Sequence, residues 1–378
     1  MIFPILVICV AYSFLILFLT KGFDKLEIPG IDYSDSETNF SILVPFRNEE
    51  MDLPRLLKSI NSLNYHPDKF EIILIDDDSN DNSSSIVQLF KEQHPELNIV
   101  MITKTGNSAS PKKEALNQGI ELAVHPWIIT TDADCIVPKN WLNAFDYFIR
   151  QKSPKMIVAP VSYKAEVGFI HKFQAIDFLS LQGTTMGVFG QKNHDFVKPF
   201  LCNGANLCYQ KESFVQVNGF KGNEHIASGD DVFLLEKMYA KFPGEVEFIK
   251  SNDAVVLTTS KNSLKTLLQQ RVRWASKTTA YQHTFAKLVG VLVFLTNFSL
   301  LLGFCLALMG NIPWLHFGFI FLLKFNIDFV LLYKTAGFFN QKEQMQSYFL
   351  SSLLHPFFTV IVVLLSFKKN YIWKQRKY

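Results

Sequence analysis

Hydrophobic and polar positions divide the chain into three regions. Residues 2–19 are apolar and uncharged, a length that spans the hydrocarbon of a bilayer. Three more apolar stretches, 288–310, 314–339 and 348–367, crowd the C-terminal end. Between them, short apolar runs alternate with segments whose apolar residues recur at helical spacing. Residues 40–44, 71–75, 98–103, 127–131 and 156–159 read as strands. Residues 84–93, 112–123 and 141–150 read as helices, as does a segment from Asp52, placed as its cap with Pro54 in the first turn, to about 63. Strands that are apolar throughout and alternate with helices predict an α/β fold: a mainly parallel sheet with helices on both faces.

The pattern predicts six parts. They are a membrane anchor (1–20), a polar linker holding Pro29 and Gly30 (21–39), an α/β domain (40–260), a basic interfacial helix (261–287), a C-terminal membrane region (288–367) and a basic tail (368–378). A signal peptide is the competing reading of the first part, but no basic residue precedes the apolar run and no small-residue cleavage site follows it. Lys21 and Lys25 follow the anchor, which predicts a cytoplasmic α/β domain. Four spans from an external N-terminus would leave the C-terminus outside, whereas Lys368, Lys369, Lys374, Arg376 and Lys377 favour the inside. A middle segment that re-enters or lies in the interface would remove the conflict. That segment carries Lys324 and Asp328, four apart and able to pair on one helix face.

Composition sharpens the picture. Charged residues are 19% of the 378, against about 25% in a soluble domain, and Phe occurs 36 times. This excludes a disordered, collagen-like or disulfide-scaffold chain. A net charge of +3, with no arginine-rich run on a polar element, gives no footprint for nucleic acid. Five scattered cysteines without a CxxC pair indicate neither a zinc ribbon nor a redox motif, and suit a reducing compartment. No GxGxxG and no P-loop is present.

Candidate chemistry gathers at strand ends, where parallel sheets bind ligands. Asp76-Asp77-Asp78 follows the second strand; a helix-capping turn is the simpler reading of such a cluster. Asp132 and Asp134 follow the fourth strand, and carboxylates at i and i+2 in a loop can share a hard cation. Asp230-Asp231 precedes a helical segment over 232–242; it reads as an N-cap or as a general base. Gln270-Arg271-Val272-Arg273-Trp274 lies in a basic helical stretch over 263–283, which suits an interfacial helix, while Arg can grip a diphosphate and Trp offers a flat face to a sugar. Residues 167–189 hold apolar positions at helical spacing and read as core or membrane-facing. His171, His194 and His225 stand alone and read as structural.

In order, these motifs resemble the membrane-bound inverting glycosyltransferases of family 2, which have a GT-A fold; the resemblance covers about residues 40–274 and the flanking apolar helices. It implies that Pro45, Arg47 and Glu49 edge a nucleotide, with Asp77 reading uracil beside Asp76 and Lys112 nearby. It implies Asp132 and Asp134 as metal ligands for Mg²⁺ or Mn²⁺, Asp231 with Asp230 as the catalytic base pair, and Gln270, Arg273 and Trp274 as the motif closing over diphosphate and acceptor. Three departures stand out: Asp78 where Gly is common, Pro111 for the glycine before the lysine with Lys113 adding a one-residue ambiguity, and a divergent acceptor segment over 201–206.

The resemblance therefore implies a metal-dependent, inverting transfer from a UDP-sugar to a lipid or growing polysaccharide, in a bacterial inner or cell membrane, with no nucleic-acid partner. A single-sugar lipid glycosyltransferase and a processive polysaccharide synthase both fit. The few C-terminal spans weaken a self-contained channel, although a second copy or a partner subunit could supply helices. A non-catalytic membrane scaffold is the third reading, and the intact acids argue against it.

Overall fold

The computed structural model describes residues 2–30, 36–106, 109–192, 194, 196–224, 226, 228–277 and 283–367, with the backbone of 372–373 and 376–377. His225 and most of the basic tail lie outside the described residues.

The first half follows the expected alternation: β1 (Phe40–Phe46), α2 (Leu53–Asn61), β2 (Phe70–Asp76), α3 (Ser83–Gln93), β3 (Asn98–Thr103), α4 (Pro111–Leu122), β4 (Trp127–Thr130), α5 (Trp141–Lys152) and β5 (Met156–Val158). All are preceded by α1 (Ile2–Lys25). β1 pairs in parallel with β2 and β4, and β2 with β3; β1, β2 and β4 are almost wholly buried, whereas β3, at the sheet edge, is partly exposed. Asp52 does stand at the start of α2, but its carboxylate pairs with Arg55 and makes no cap hydrogen bond.

The second half departs from that alternation. After β6 (Val161–Tyr163) and α6 (Phe169–Phe189) comes β7 (Leu207–Gln210), inserted antiparallel between β4 and β5. α7 (Lys211–Gln216), α8 (Asp230–Lys241), β8 (Val246–Phe248) and β9 (Val256–Thr258) follow. The seven-stranded sheet runs β3-β2-β1-β4-β7-β5-β8, and β6 pairs with β9 in a separate ribbon. One apolar cluster fills each face of the sheet, built around Leu43, Ile73 and Ile128 on one side and Ile42, Ile72 and Ile129 on the other.

α9 (Leu264–Ser276) is shorter than the predicted basic helix. α10 (Thr284–Leu308), α11 (Trp314–Phe338) and α12 (Tyr348–Ser366) follow. Among the described residues, four helical segments, α1, α10, α11 and residues 342–366 containing α12, are long and apolar enough to cross a membrane. The chain is a membrane protein by this measure. The anchor continues to Lys25, five residues past its predicted boundary, because α1 is welded to α6. A Cβ at Gly22 would collide with the carbonyl oxygen of Gly187, and one at Gly190 with that of Gly22. Only glycine lets the two backbones approach so closely.

Candidate active site

One cavity of about 1140 Å³ opens beyond the C-terminal ends of β1, β2 and β4 and continues between the apolar helices. Asp77, Asp132, Asp134, Asp230, Asp231, Gln270, Arg273 and Trp274 all line it, although up to 197 positions (274 minus 77) separate them in sequence.

The wall at β1 and β2 is set by backbone geometry. The ladder runs one residue past β2, where Asp77 N donates to Phe46 O at 2.8 Å. Side chains alternate along a strand, so Asp76 and Asp77 diverge. Asp76 accepts from Ser79 N at 2.9 Å and Ser84 Oγ at 2.5 Å, locking the turn into α3, and is absent from the cavity lining. Asp76 thus fixes the turn without capping α3, whose cap residue is Asn82, and Asp77 is the acid that faces the cavity. Lys104 stands 3.5 Å from the Asp77 carboxylate and was not foreseen; its signal was a lysine directly after β3. Arg47 donates to the carbonyls of Asp77 and Asp78, the latter at 2.7 Å, and so ties the Pro45–Glu49 loop to the same turn. Asp78 has φ 61°, the left-handed region that Gly adopts freely and Asp tolerates. That accounts for the departure noted there.

The next wall is ionic. Lys112, on the first turn of α4, donates to Asp132 at 2.7 Å and lies 3.2 Å from Asp230. Burial pushes its ammonium pKa down, but Asp132 and Asp230 overcome this and hold it well above the ordinary lysine value. Lys113 instead points away, to the carbonyls of Asn223 and Ile226, so that of the two lysines Lys112 is the one lining the cavity. Burial lowers its pKa to about 8. Pro111 fits because its missing N–H falls at the first helical position.

Asp231 sits in the first turn of α8, where a carboxylate is favoured by the helix dipole. It accepts from Val232 N at 2.8 Å and Gly204 N at 3.2 Å, and pairs with Lys277 at 3.2 Å. Burial raises its carboxyl pKa, yet Lys277 and Lys112 outweigh burial and hold it below the usual carboxylate range. Gly204 lies beneath: a Cβ there would come within 3.1 Å of the Asp230 carboxylate. Gly204 falls in the divergent acceptor segment over 201–206, whereas Lys277 escaped sequence reasoning, although it stands three residues, about one helical turn, beyond Trp274.

α9 brings Gln270, Arg273 and Trp274 to the opposite wall. The intervening Arg271 organises them. It donates to Asp177 of α6 at 2.6 Å and to Gln270 Oε1 at 2.8 Å, with its guanidinium 4.2 Å from the Trp274 ring centre. The second Asp177 oxygen lies 3.4 Å from His355 Nε2 of α12. Burial raises the Asp177 pKa, but Arg271 and His355 outweigh it and bring the group down to about 2. His171 is held by Ser260 and Glu166, and His194 lies against Phe18; neither lines the cavity.

Among the described residues, no group of three or more His, Cys, Asp or Glu side chains could hold a metal ion by itself. Asp132 and Asp134 supply hard oxygen donors on the cavity wall, which fits an ion completed by oxygens of a bound diphosphate.

Residues 41–214 match the family model Glycosyl transferase family 2. The poly-beta-1,6-N-acetyl-D-glucosamine synthase of Staphylococcus epidermidis is 26% identical over 262 residues, covering 68% of this chain and 58% of that protein. The beta-monoglucosyldiacylglycerol synthase of Synechocystis sp. is 29% identical over 121 residues, covering 31% of this chain and 25% of that protein. The chain thus spans well under two thirds of the length of these curated relatives. A mannosyltransferase of Pyrobaculum calidifontis, solved with GDP-Man and Mn²⁺, superposes with a TM-score of 0.58 at 17% identity, over 93% of this chain and 99% of that one. At that identity the likeness bears on fold.

Proposed function

We propose, from the family 2 glycosyltransferase match over residues 41–214 and the likeness in fold to a solved mannosyltransferase, that the chain moves a sugar from UDP to a hydroxyl of a membrane-associated acceptor, inverting the anomeric centre. The observation that carries the reading is the single cavity shared by Asp77, Asp134 and Asp231.

In this reading Asp77, backed by Lys104, receives the base of the nucleotide. Pro45, Arg47 and Glu49 border it, and Asp76 contributes by fixing the turn. Asp132 and Asp134 would hold Mg²⁺ or Mn²⁺, which when bound supplies Lewis-acid neutralisation of the leaving diphosphate. Lys112 sits beside Asp132 and adds a cation to the same wall. Asp231 is ionised at neutral pH and takes the acceptor hydroxyl proton as its oxygen bonds to the anomeric carbon. The bond from that carbon to the diphosphate oxygen breaks on the far side, and UDP leaves. Asp230 holds Lys112 in register with Asp231. Gln270, Arg273 and Trp274 face the diphosphate and acceptor, with Arg273 adding positive charge where negative charge develops.

The relatives' names span a polysaccharide and a glycolipid product, and both acceptor types suit a cavity running from the acids into the apolar helices. Lys21 and Lys25 support a cytosolic cavity mouth. The test is transfer from a panel of labelled UDP-sugars by the full chain in membranes, with and without divalent cations. UDP release with a labelled lipid or polymer supports the reading. Silence across the panel overturns it.

A further inference from the structure

Three of the four long apolar helices run the length of one bundle. At its far end Ile5 of α1, Leu300 of α10 and Ile320 of α11 share an apolar cluster. At its near end Leu19 of α1 and Thr335 of α11 meet Gly187 and Gly183 of α6, and Phe285 of α10 packs on Phe200. α12 follows a different course. Its first residue, Tyr348, donates to Phe325 O at 2.6 Å, 13 residues before the end of α11, or about 20 Å along that helix. Its later turns then meet the elements that carry the site. His355 Nε2 lies 3.4 Å from Asp177 of α6, and the Phe358 ring lies 5.2 Å from that of Phe173. Phe358 and Val362 also share a cluster with Leu267 of α9. Gln346, just before α12, accepts from Lys172 at 3.0 Å, so positions 346 and 358 hold neighbouring residues of α6. A helix leaving for the opposite face would have carried Phe358 about 15 Å beyond Tyr348, and α9 would have to follow it into hydrocarbon. α9 carries Lys265, Gln269, Gln270, Arg271 and Arg273, a polar load that hydrocarbon does not accept.

The two faces of α12 differ accordingly. Ser351, His355, Phe358 and Val362 line the cavity that holds Asp231. Phe349, Leu353, Phe357, Ile361 and Leu364 form an exposed, wholly apolar stripe on the other face. We propose that α12 is a membrane-docking element and not a fourth span: its outer stripe rests in the hydrocarbon of the leaflet nearest the α/β domain, its inner stripe floors the cavity, and the chain leaves it on the α/β-domain side. Re-entry, expected of the middle apolar segment, passes to the last one. Three crossings then put the basic residues that follow α12 in sequence on the same side as Lys21 and Lys25, and the conflict in charge placement disappears. This holds whatever reaction the cavity performs.

The experiment uses the full chain in sealed membrane vesicles, with Cys305 replaced by Ser. Phe367→Cys, at the exposed end of α12, and Val124→Cys, exposed in the loop before β4, are labelled in turn with a membrane-impermeant maleimide. A protease-cleavable tag after Tyr378 reads the same sidedness without a substitution near α12. Labelling of both cysteines from one side, with the tag cut from that side, supports the proposal. Labelling from opposite sides, or a tag cut only from the side away from Val124→Cys, overturns it. Spin labels at Leu353→Cys and Leu364→Cys test the occupant of the outer stripe. Frequent collision with dissolved oxygen at both positions supports lipid. Rare collision at either means that a second copy or another protein covers the face, and overturns the docking proposal.

Discussion

The two ends of the cavity, assigned to donor and acceptor in the proposed function, are built in different ways. At the donor end, carboxylates stand on tight loops after buried strands, and most of their partners are close in sequence or on adjacent strands: Asp76 with Ser79 and Ser84, Asp77 with Lys104. At the acceptor end, polar groups stand on helices and pair across long stretches of chain: Asp177 with Arg271, 94 residues apart, and Tyr12 with Asp328, 316 apart. The first end is shaped by strand registry and tolerates a loose membrane bundle. The second exists only when α1, α6, α9, α11 and α12 are docked together.

Perturbations should separate the two ends. The largest effect is expected from Asp231→Asn at their junction. Turnover falls at least ~100-fold, the low end of what a general base supplies, while UDP still binds in calorimetry. Near-normal turnover would remove Asp231 from the base role. Asp177→Ala, at the acceptor end, leaves the buried Arg271 uncompensated and lowers stability by about 3–5 kcal/mol. Thermal unfolding monitored by tryptophan fluorescence reads this, and an unchanged midpoint would make the Arg271 pair irrelevant. Asp134→Ala, at the donor end, abolishes the metal-dependent part of UDP affinity and spares stability; an unchanged cation response in calorimetry would count against the ligand assignment.

Two smaller effects are read through pH. Asp231 has a depressed pKa, so the acidic limb of kcat/KM lies below the usual carboxylate range, and Lys277→Ala moves that limb upward. A limb that stays in place would mean that Lys277 does not set the charge state of Asp231. Asp177 falls from 3.8 to about 2 in the folded chain. The stability from its ionisation is full above pH 3.8 and is lost as pH falls through about 2. Asp177→Asn should flatten the stability curve across that window, and a slope equal to that of the unmodified chain would argue against the pair.

The contrast also explains what could be read from sequence. β1 to β5 and the acids after β2 and β4 were legible because strand propensity and turn chemistry act within a few residues. β7 was missed: Leu207–Gln210 is four residues long, includes Cys208 and Tyr209 and lacks the Val/Ile run that marks a buried strand. Its place between β4 and β5 is set by pairing on both sides. The divergence of Asp76 and Asp77 depended on where β2 ends, and boundaries are weakly encoded. Asp177 and Lys277 were illegible as site residues because their partners come from other elements. Trp274 was legible from its motif, but the Arg271 guanidinium against its ring required the fold.

A hydrophobic tether would be a spare part, replaceable by any greasy helix of adequate length. The first helix of this chain is not interchangeable in that way. Where its Gly22 meets Gly187 and Gly190 the two backbones touch, and its Tyr12, Ile16 and Leu19 line the same cavity as the acids. Trimming it to obtain a water-soluble catalytic fragment would remove a wall rather than a leash, and would leave the apolar flank of α6 bare.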